Sequence, residues 1–368
     1  MPYKVPFVNV PEHYRRLKKE ILEIIDDVFS RGDLILRKDV EDFEKNIASF
    51  VGTKYAIGLN SGTDALFFAL KVADIKPGDE IITVAHTFVA SVSVIVHCGA
   101  KPVLVDVGED FNIDVDKIEE VVTSRTKAII PVHLNGRVCN MEKVMEVAEK
   151  NNLIVIEDAA QALGAKFDGK MAGSFGLAGA FSLYPFKVLG AFGDGGILTT
   201  DDDKVAQNTY LLRDHGQKTK TELVCFGWNS RLDNVQAAIL NLKLKYLSEW
   251  IQRRREIASL YFNGLSSVPE IKLPPQSDER HFDIYQNYVL RVSKRDELSL
   301  YLREKGVETL IKDPIALHHQ LPLGLSSFKL PYTEQLAKEV ISLPMYPELK
   351  DSEIRYVVDN LKYFYKKQ

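Results

Sequence analysis

The sequence predicts an α/β protein, a large domain with a mostly parallel seven-stranded sheet followed by a smaller C-terminal α+β domain. Three observations carry that expectation. Seven short apolar or β-branched runs recur over the first two-thirds of the chain, helix-like patterns lie between several of them, and the texture changes beyond about residue 250. Strands that alternate with helical patterns need crossover connections, and crossovers align strands in parallel and cover both faces of the sheet.

In chain order the candidate strands are Tyr55–Leu59, Glu80–Val84, Pro102–Val107, Ala128–Leu134, Leu153–Glu157, Ala178–Tyr184 and Gly196–Thr200. Between them, Met141–Asn151 (MEKVMEVAEKN) sets Val144, Met145 and Ala148 on one side of a helix. Gly227 to about Arg255 reads as one long helical region, with Ala237, Leu240, Leu244 and Leu247 at helical spacing. After it come three prolines within Val268–Arg280, a strand at Tyr285–Val292, and amphipathic helices at Lys294–Lys305 and Ser352–Tyr365. The expected division is 1–250 for the large domain and 251–368 for the small one. Lys366-Lys367-Gln368 reads as a frayed end.

The 368 residues carry 47 Lys plus Arg against 51 Asp plus Glu, a net charge of −4, and 45% are hydrophobic. Such a chain supports a large core and is not a disordered one. It offers no electrostatic footprint for nucleic acid or an acidic membrane. Cys98, Cys139 and Cys225 are too few and too scattered for a disulfide framework or zinc site, and read as buried or partly buried thiols in a reducing compartment. The opening MPYKVPFVNVPEHYRRLKK has no apolar h-region, and no run of about 18 apolar residues occurs, so the expected location is the cytoplasm. His86, His97, His133, His215 and His281 lack partners at ligand spacing, so no metal is expected; His133 alone is placed near a substrate.

In an open α/β sheet ligands bind beyond the carboxyl ends of the strands, and four segments there carry chemistry. Asn60-Ser61-Gly62-Thr63 lies at a strand-to-helix turn, where free amides and the Thr63 hydroxyl suit an anion; the same residues also suit a plain helix cap. Asp158, leaving the apolar LIVI strand, is placed to face a cationic ring nitrogen or to cap the next helix. Lys187 sits in an almost wholly apolar stretch, SLYPFKVLG. It either snorkels to the surface or is desolvated enough for its neutral amine to form a Schiff base. Phe88 could stack on a planar ring or simply belong to the core. Taken together the four describe one site, with the inventory that pyridoxal 5′-phosphate requires.

These motifs, in this order, make the sequence resemble the DegT/StrS family of sugar aminotransferases, fold type I enzymes that use pyridoxal 5′-phosphate. The likeness runs from VPFVNV and GDLILRKDVEDFE through YAIGLNSGTDALFFAL, PGDEIITVAHTFVAS, KPVLVDV, PVHLNGRVCNM, VIEDAAQALGA, FSLYPFKVLGAFGDGG, LRDHGQ and NSRLDNVQAAIL to SLPMYPELKDSEI. The resemblance implies that Lys187 is the Schiff-base lysine, that Asp158 pairs with the pyridine nitrogen, and that Gln161 lies near the ring hydroxyl. Gly62, Thr63 and Ser182 would hold the phosphate, with Phe88 stacked on the ring. Asn229 would reach the phosphate in a neighbouring subunit, making a homodimer with shared active sites, and Arg231 and His318 would contact a sugar nucleotide. The implied reaction moves an amino group from L-glutamate, released as 2-oxoglutarate, to a nucleotide-linked keto sugar. Gln161 leans the reading toward a 3-keto sugar; a 4-keto sugar, a cyclitol, or a non-catalytic regulator that binds the cofactor are the alternatives. Lysine at 187, where related dehydratases carry histidine, favours transamination. Arg37-Lys38 departs from the Gly-Pro of many relatives, in a loop expected near the substrate entrance.

Overall fold

The computed structural model describes residues 3–367. Seven strands form the central sheet: β1 (Tyr55–Leu59), β2 (Glu80–Val84), β3 (Lys101–Val105), β4 (Thr126–Ile129), β5 (Ile154–Asp158), β6 (Ala178–Ser182) and β7 (Gly196–Thr200). Their spatial order is β1-β7-β6-β5-β4-β2-β3, and β7 alone runs antiparallel to its neighbours.

Alternation along each strand builds two cores, because successive side chains point to opposite faces. Ile57, Ile81, Ala128, Ile156, Ala180 and Leu198 face a core shared with α3 (Gly62–Val72), α4 (Ala90–His97) and α6 (Asp203–Arg213). Their neighbours Ala56, Ile82, Ile129, Val155, Phe181 and Ile197 face the other, under α1 (Val10–Arg31), α2 (Lys38–Val51), α5 (Met141–Asn151) and α7 (Asn234–Leu244). Both faces are covered, so the strands read as continuous apolar runs.

A third core surrounds the antiparallel strands β8 (Ile271–Lys272), β9 (Tyr288–Val292) and β10 (Val340–Leu343), with α9 (Arg295–Glu304) and α11 (Asp351–Lys366) packed on them. Helix α8 (Leu247–Leu265) bridges the two halves: Leu247, Trp250 and Ile251 lie in the large core, and Ile257, Tyr261 and Leu265 in the small one. Residues 250 and 251 therefore lie within one helix. Val5, from the other end of the chain, also packs in the small core, tied to Gly306 and Glu308 by backbone hydrogen bonds.

Several expected boundaries move. The third strand covers Lys101–Val105 rather than Pro102–Val107. The fourth stops at Ile129, short of Pro131, which has no N–H to give a ladder, and the sixth stops at Ser182. The long helix expected from Gly227 is two helices, beginning only at Asn234 and broken at Lys245–Tyr246. Residues 227–233 stay extended because their amides are claimed elsewhere: Trp228 N–H donates to Leu212 O and Ser230 N–H to Arg213 O. Helices α1, α2 and α10 (Pro331–Glu339) were not expected, although Asn9 caps α1 by accepting from the Glu12 amide. Cys98 and Cys139 are buried as expected, but Cys225 is exposed. Helix α11 is regular through Lys366, and the fraying expected at Gln368 falls outside the described residues. Among the described residues no helix is long and apolar enough to cross a membrane.

Candidate active site

A cavity of about 550 Å³ opens at the carboxyl ends of β1, β2, β4, β5 and β6 and is closed by the N-terminal segment and the small domain. Gly62, Thr63, Phe88, Asp158, Gln161, Ser182 and Lys187 all line it, as does His133. Sequence positions spread over more than a third of the chain thus meet in one place.

The anion end is the start of α3. The Ser61 hydroxyl caps the helix by accepting from the Asp64 amide at 3.0 Å, which leaves the Gly62 and Thr63 amides to a ligand. A Cβ on Gly62 would come within 3.0 Å of Ser182 Cα and Cβ, so only glycine lets the helix start close on the end of β6 and set the Ser182 hydroxyl beside those amides. Ser230 ties the cradle to the next segment, donating to Asp64 Oδ2 at 2.6 Å.

Lys187 projects from a tight loop after β6. Gly190 permits the loop, since a Cβ there would lie 2.4 Å from Pro185 O. Gln286, from the small domain, clamps both sides of the lysine: its Oε1 accepts from Val188 N–H at 2.9 Å, and its Nε2 donates to Phe186 O at 2.8 Å. Part of Lys187 remains open to the cavity. Desolvation nevertheless brings its ammonium down to about 8, Lys312 adds a smaller push in the same direction, and Asp158 opposes both.

Asp158 ends β5 with its carboxylate held on both oxygens. The Ser91 hydroxyl donates to Oδ2 at 2.6 Å and the Ala160 amide to Oδ1 at 3.2 Å, and Thr87 backs Ser91 at 2.8 Å. Behind it, the fully buried Glu157 accepts from the amides of Gly173, Phe175 and Gly176 and pairs with His133 Nε2 at 2.9 Å. The Cys139 amide donates to His133 Nδ1, so the ring proton sits on Nε2 and points at Glu157. Gln161 Oε1 accepts from the Asn135 amide and from Asn287, which leaves its NH₂ end to a ligand. Phe88 is 60% exposed at the cavity wall and is not a core residue.

Asn229, Arg231 and His318 do not line this cavity. Asn229 is exposed and bridged to Asp214, and Arg231 donates to Asp214 Oδ1 at 2.9 Å. His318 is buried with Nε2 3.3 Å from Glu334, a carboxylate that also accepts from the Leu330 amide. Arg37 and Lys38 are exposed at the start of α2, away from the cavity. Sequence reasoning missed Ser91, Gln286 and Lys312. Lys312 carried the same signal as Lys187, a lysine inside the apolar run of LIKDPIAL; the other two carried none.

Residues 15–362 match the model of the DegT/DnrJ/EryC1/StrS aminotransferase family. The chain is 42% identical over 367 residues to a pleiotropic regulatory protein of Geobacillus stearothermophilus, covering 98% of this chain and 99% of that one. It is 44% identical over 357 residues to the dTDP-3-amino-3,6-dideoxy-alpha-D-galactopyranose transaminase of Aneurinibacillus thermoaerophilus, covering 96% and 98%. The crystal structure of S. venezuelae DesV in complex with a ketimine intermediate superposes with a TM-score of 0.95 at 37% identity, over 99% of both chains. By sequence, by fold and by the ordered motifs around its cavity, the chain belongs to the DegT/DnrJ/EryC1/StrS family of fold type I aminotransferases.

Proposed function

We propose that this enzyme uses pyridoxal 5′-phosphate to move an amino group from L-glutamate to a nucleotide-linked keto-deoxy sugar, with a 3-keto-6-deoxyhexose on dTDP or another nucleotide as acceptor. The observation that carries the reading is the Lys187 amine, drawn down to about 8 on the wall of a cavity that also holds a free helix N-terminus and a fixed carboxylate. Those residues fit the cofactor: the glycine-made cradle suits its phosphate, and Asp158, already held by Ser91 and Ala160, suits its ring nitrogen.

The bound cofactor would supply an electron sink for the carbon that gains or loses a proton. In that arrangement the Gly62 and Thr63 amides and the Ser182 hydroxyl bind phosphate oxygens. Asp158 holds a proton on the ring nitrogen. The Gln161 NH₂ meets the ring hydroxyl, and Phe88 covers one ring face. Lys187 Nζ takes the proton from the donor carbon and returns one to the sugar carbon, acting as base and then as acid. A group near pH 8 suits both duties.

The relative named for a dTDP-3-amino sugar supports the 3-position and dTDP. A 4-keto sugar or cyclitol would use the same residues. A non-catalytic regulator is the second reading, favoured by the name of the Geobacillus relative. The exposed segment around Asn229 supports a homodimer in which Asn229 reaches the partner's phosphate; contacts of Arg231 and His318 with the sugar nucleotide rest on the family resemblance alone. We place the domain division within α8, at 250/251, and the enzyme in the cytoplasm, where free thiols are at home.

The test is the visible spectrum of the protein loaded with pyridoxal 5′-phosphate. A band that L-glutamate bleaches, absent from Lys187→Ala, followed by amination of dTDP-linked 3-keto sugar, supports the reading. A band that glutamate leaves unchanged supports the regulator.

A further inference from the structure

We propose that Lys312 binds the α-carboxylate of the amino donor, an inference that rests on reading the cavity as a transaminase site. Lys187 and Lys312 are the two lysines on the cavity wall, and no arginine lines it among the described residues. Once Lys187 is committed to the cofactor, Lys312 is the lysine or arginine that the described residues of this chain still offer on that wall. Much of the surrounding wall is apolar, including Phe7, Val8, Leu66, Phe186 and Met345. A carboxylate entering such a space loses water and needs a cation to replace it.

The placement selects which anion. Lys312 and Lys187 line the same cavity, together with Asp158 and with Gln286, which clamps the loop that carries Lys187. The α-carboxylate of an amino acid is a single bond from the carbon that reacts. The phosphates of a nucleotide-linked 3-keto sugar are several bonds from theirs. A cation that shares the cavity with the amine matches the first.

The side chain is both held and available. Its ion pair is with Asp313 at 4.0 Å, longer than a hydrogen bond, so its donors are open to a stronger acceptor. The segment carrying it is pinned to the small domain by reciprocal backbone hydrogen bonds between Leu310 and Ser342 on β10. Asp313 then turns the chain with a φ of 52°. Lys312 thus reaches the cavity from the opposite domain to Lys187, and a donor held between them would bridge the two.

The experiment compares wild type, Lys312→Met and Lys312→Arg, each loaded with pyridoxal 5′-phosphate and each checked for its visible band. In single-turnover reactions the glutamate concentration for half-maximal rate should rise at least about tenfold in Lys312→Met and less in Lys312→Arg, the scale of one lost charge-assisted hydrogen bond. Calorimetric binding of maleate, an unreactive dicarboxylate, should weaken likewise. With isoglutamine, whose α-carboxylate is an amide, wild type and Lys312→Met should react alike. The reaction of the aminated enzyme with sugar nucleotide should keep its concentration dependence. An unchanged glutamate dependence in a banded Lys312→Met overturns the proposal, as does an effect confined to the sugar nucleotide, which would assign Lys312 to phosphate. If Lys312→Met does not fold, Lys312→Gln takes its place under the same criteria. A wild type that glutamate leaves unchanged overturns the transaminase reading and the inference with it, a result distinct from either of the others.

Discussion

At Lys187 the chemistry is set by what surrounds one amine. In the unfolded chain it titrates near 10.5, and in the folded protein near 8. The unfolded chain therefore binds more protons between those values, so stability of the cofactor-free protein rises as pH climbs from about 8 toward 10.5, while the penalty is fully present below 8. Lys243, buried beneath Gly190 and also lowered to about 8, adds to the same rise. Lys187→Met is expected to stabilise the cofactor-free protein at pH 7 and to flatten that rise, as thermal unfolding at pH 7 and 9.5 would show. Lys187→Ala should lose about 10²–10⁴-fold in transfer rate, measured at saturating substrates. Gly62→Ala should cost about 1–3 kcal/mol in denaturant unfolding and weaken cofactor affinity, because the new methyl must push the helix start off Ser182. These residues were legible in the sequence because lysine in an apolar run and glycine at a strand-to-helix turn are unusual where they stand. Ser91 was not: a serine on an apolar helix face looks the same whether or not a carboxylate lies 2.6 Å away.

At the level of elements, loops are fixed by partners distant in sequence. Gln286 spans two backbone groups on either side of Lys187, so Gln286→Leu leaves an N–H and a carbonyl unpaired. That change is expected to cost about 1–3 kcal/mol. It should also slow single-turnover transfer by about tenfold with the visible band retained, since the amine is displaced rather than removed. Glu157 holds the loop Gly173–Gly176 through three amides, and Glu157→Ala strands all three and His133. A loss of at least about 3 kcal/mol in urea unfolding is expected. Strand positions were legible from apolar runs, and Met141–Asn151 from its spacing. The long helix from Gly227 misled because the helical pattern begins only at Asn234; the preceding residues give their hydrogen bonds to the end of α6, a tertiary choice that local spacing does not record.

Across the whole molecule, one apolar surface stands out from the cavity. The hairpin Gln217–Leu223 and the segment after it expose Leu223, Val224 and Trp228, with Phe226 98% exposed, close in sequence to Asn229. An apolar cluster of this kind is a surface for association, and it fits the proposed dimer. Phe226→Asp is expected to shift sedimentation toward the monomer and to weaken cofactor retention together, because the partner's Asn229 would no longer reach the phosphate. The fold class and the seven strand positions were legible in the sequence, as were the turn at Gly62-Thr63, Phe88, Asp158 and Lys187 by strand-end position and residue type, because these are local properties; Gln161 and Ser182 came only from the family resemblance, and the structure shows that all seven line one cavity. Only the tertiary structure decided that α8 joins two cores, that Gln286 and Lys312 reach the cavity from the small domain, and that Asn229, Arg231 and His318 lie outside it. Those facts depend on how distant segments pack, and side-chain burial and hydrogen bonding between such segments leave no period or spacing in the chain.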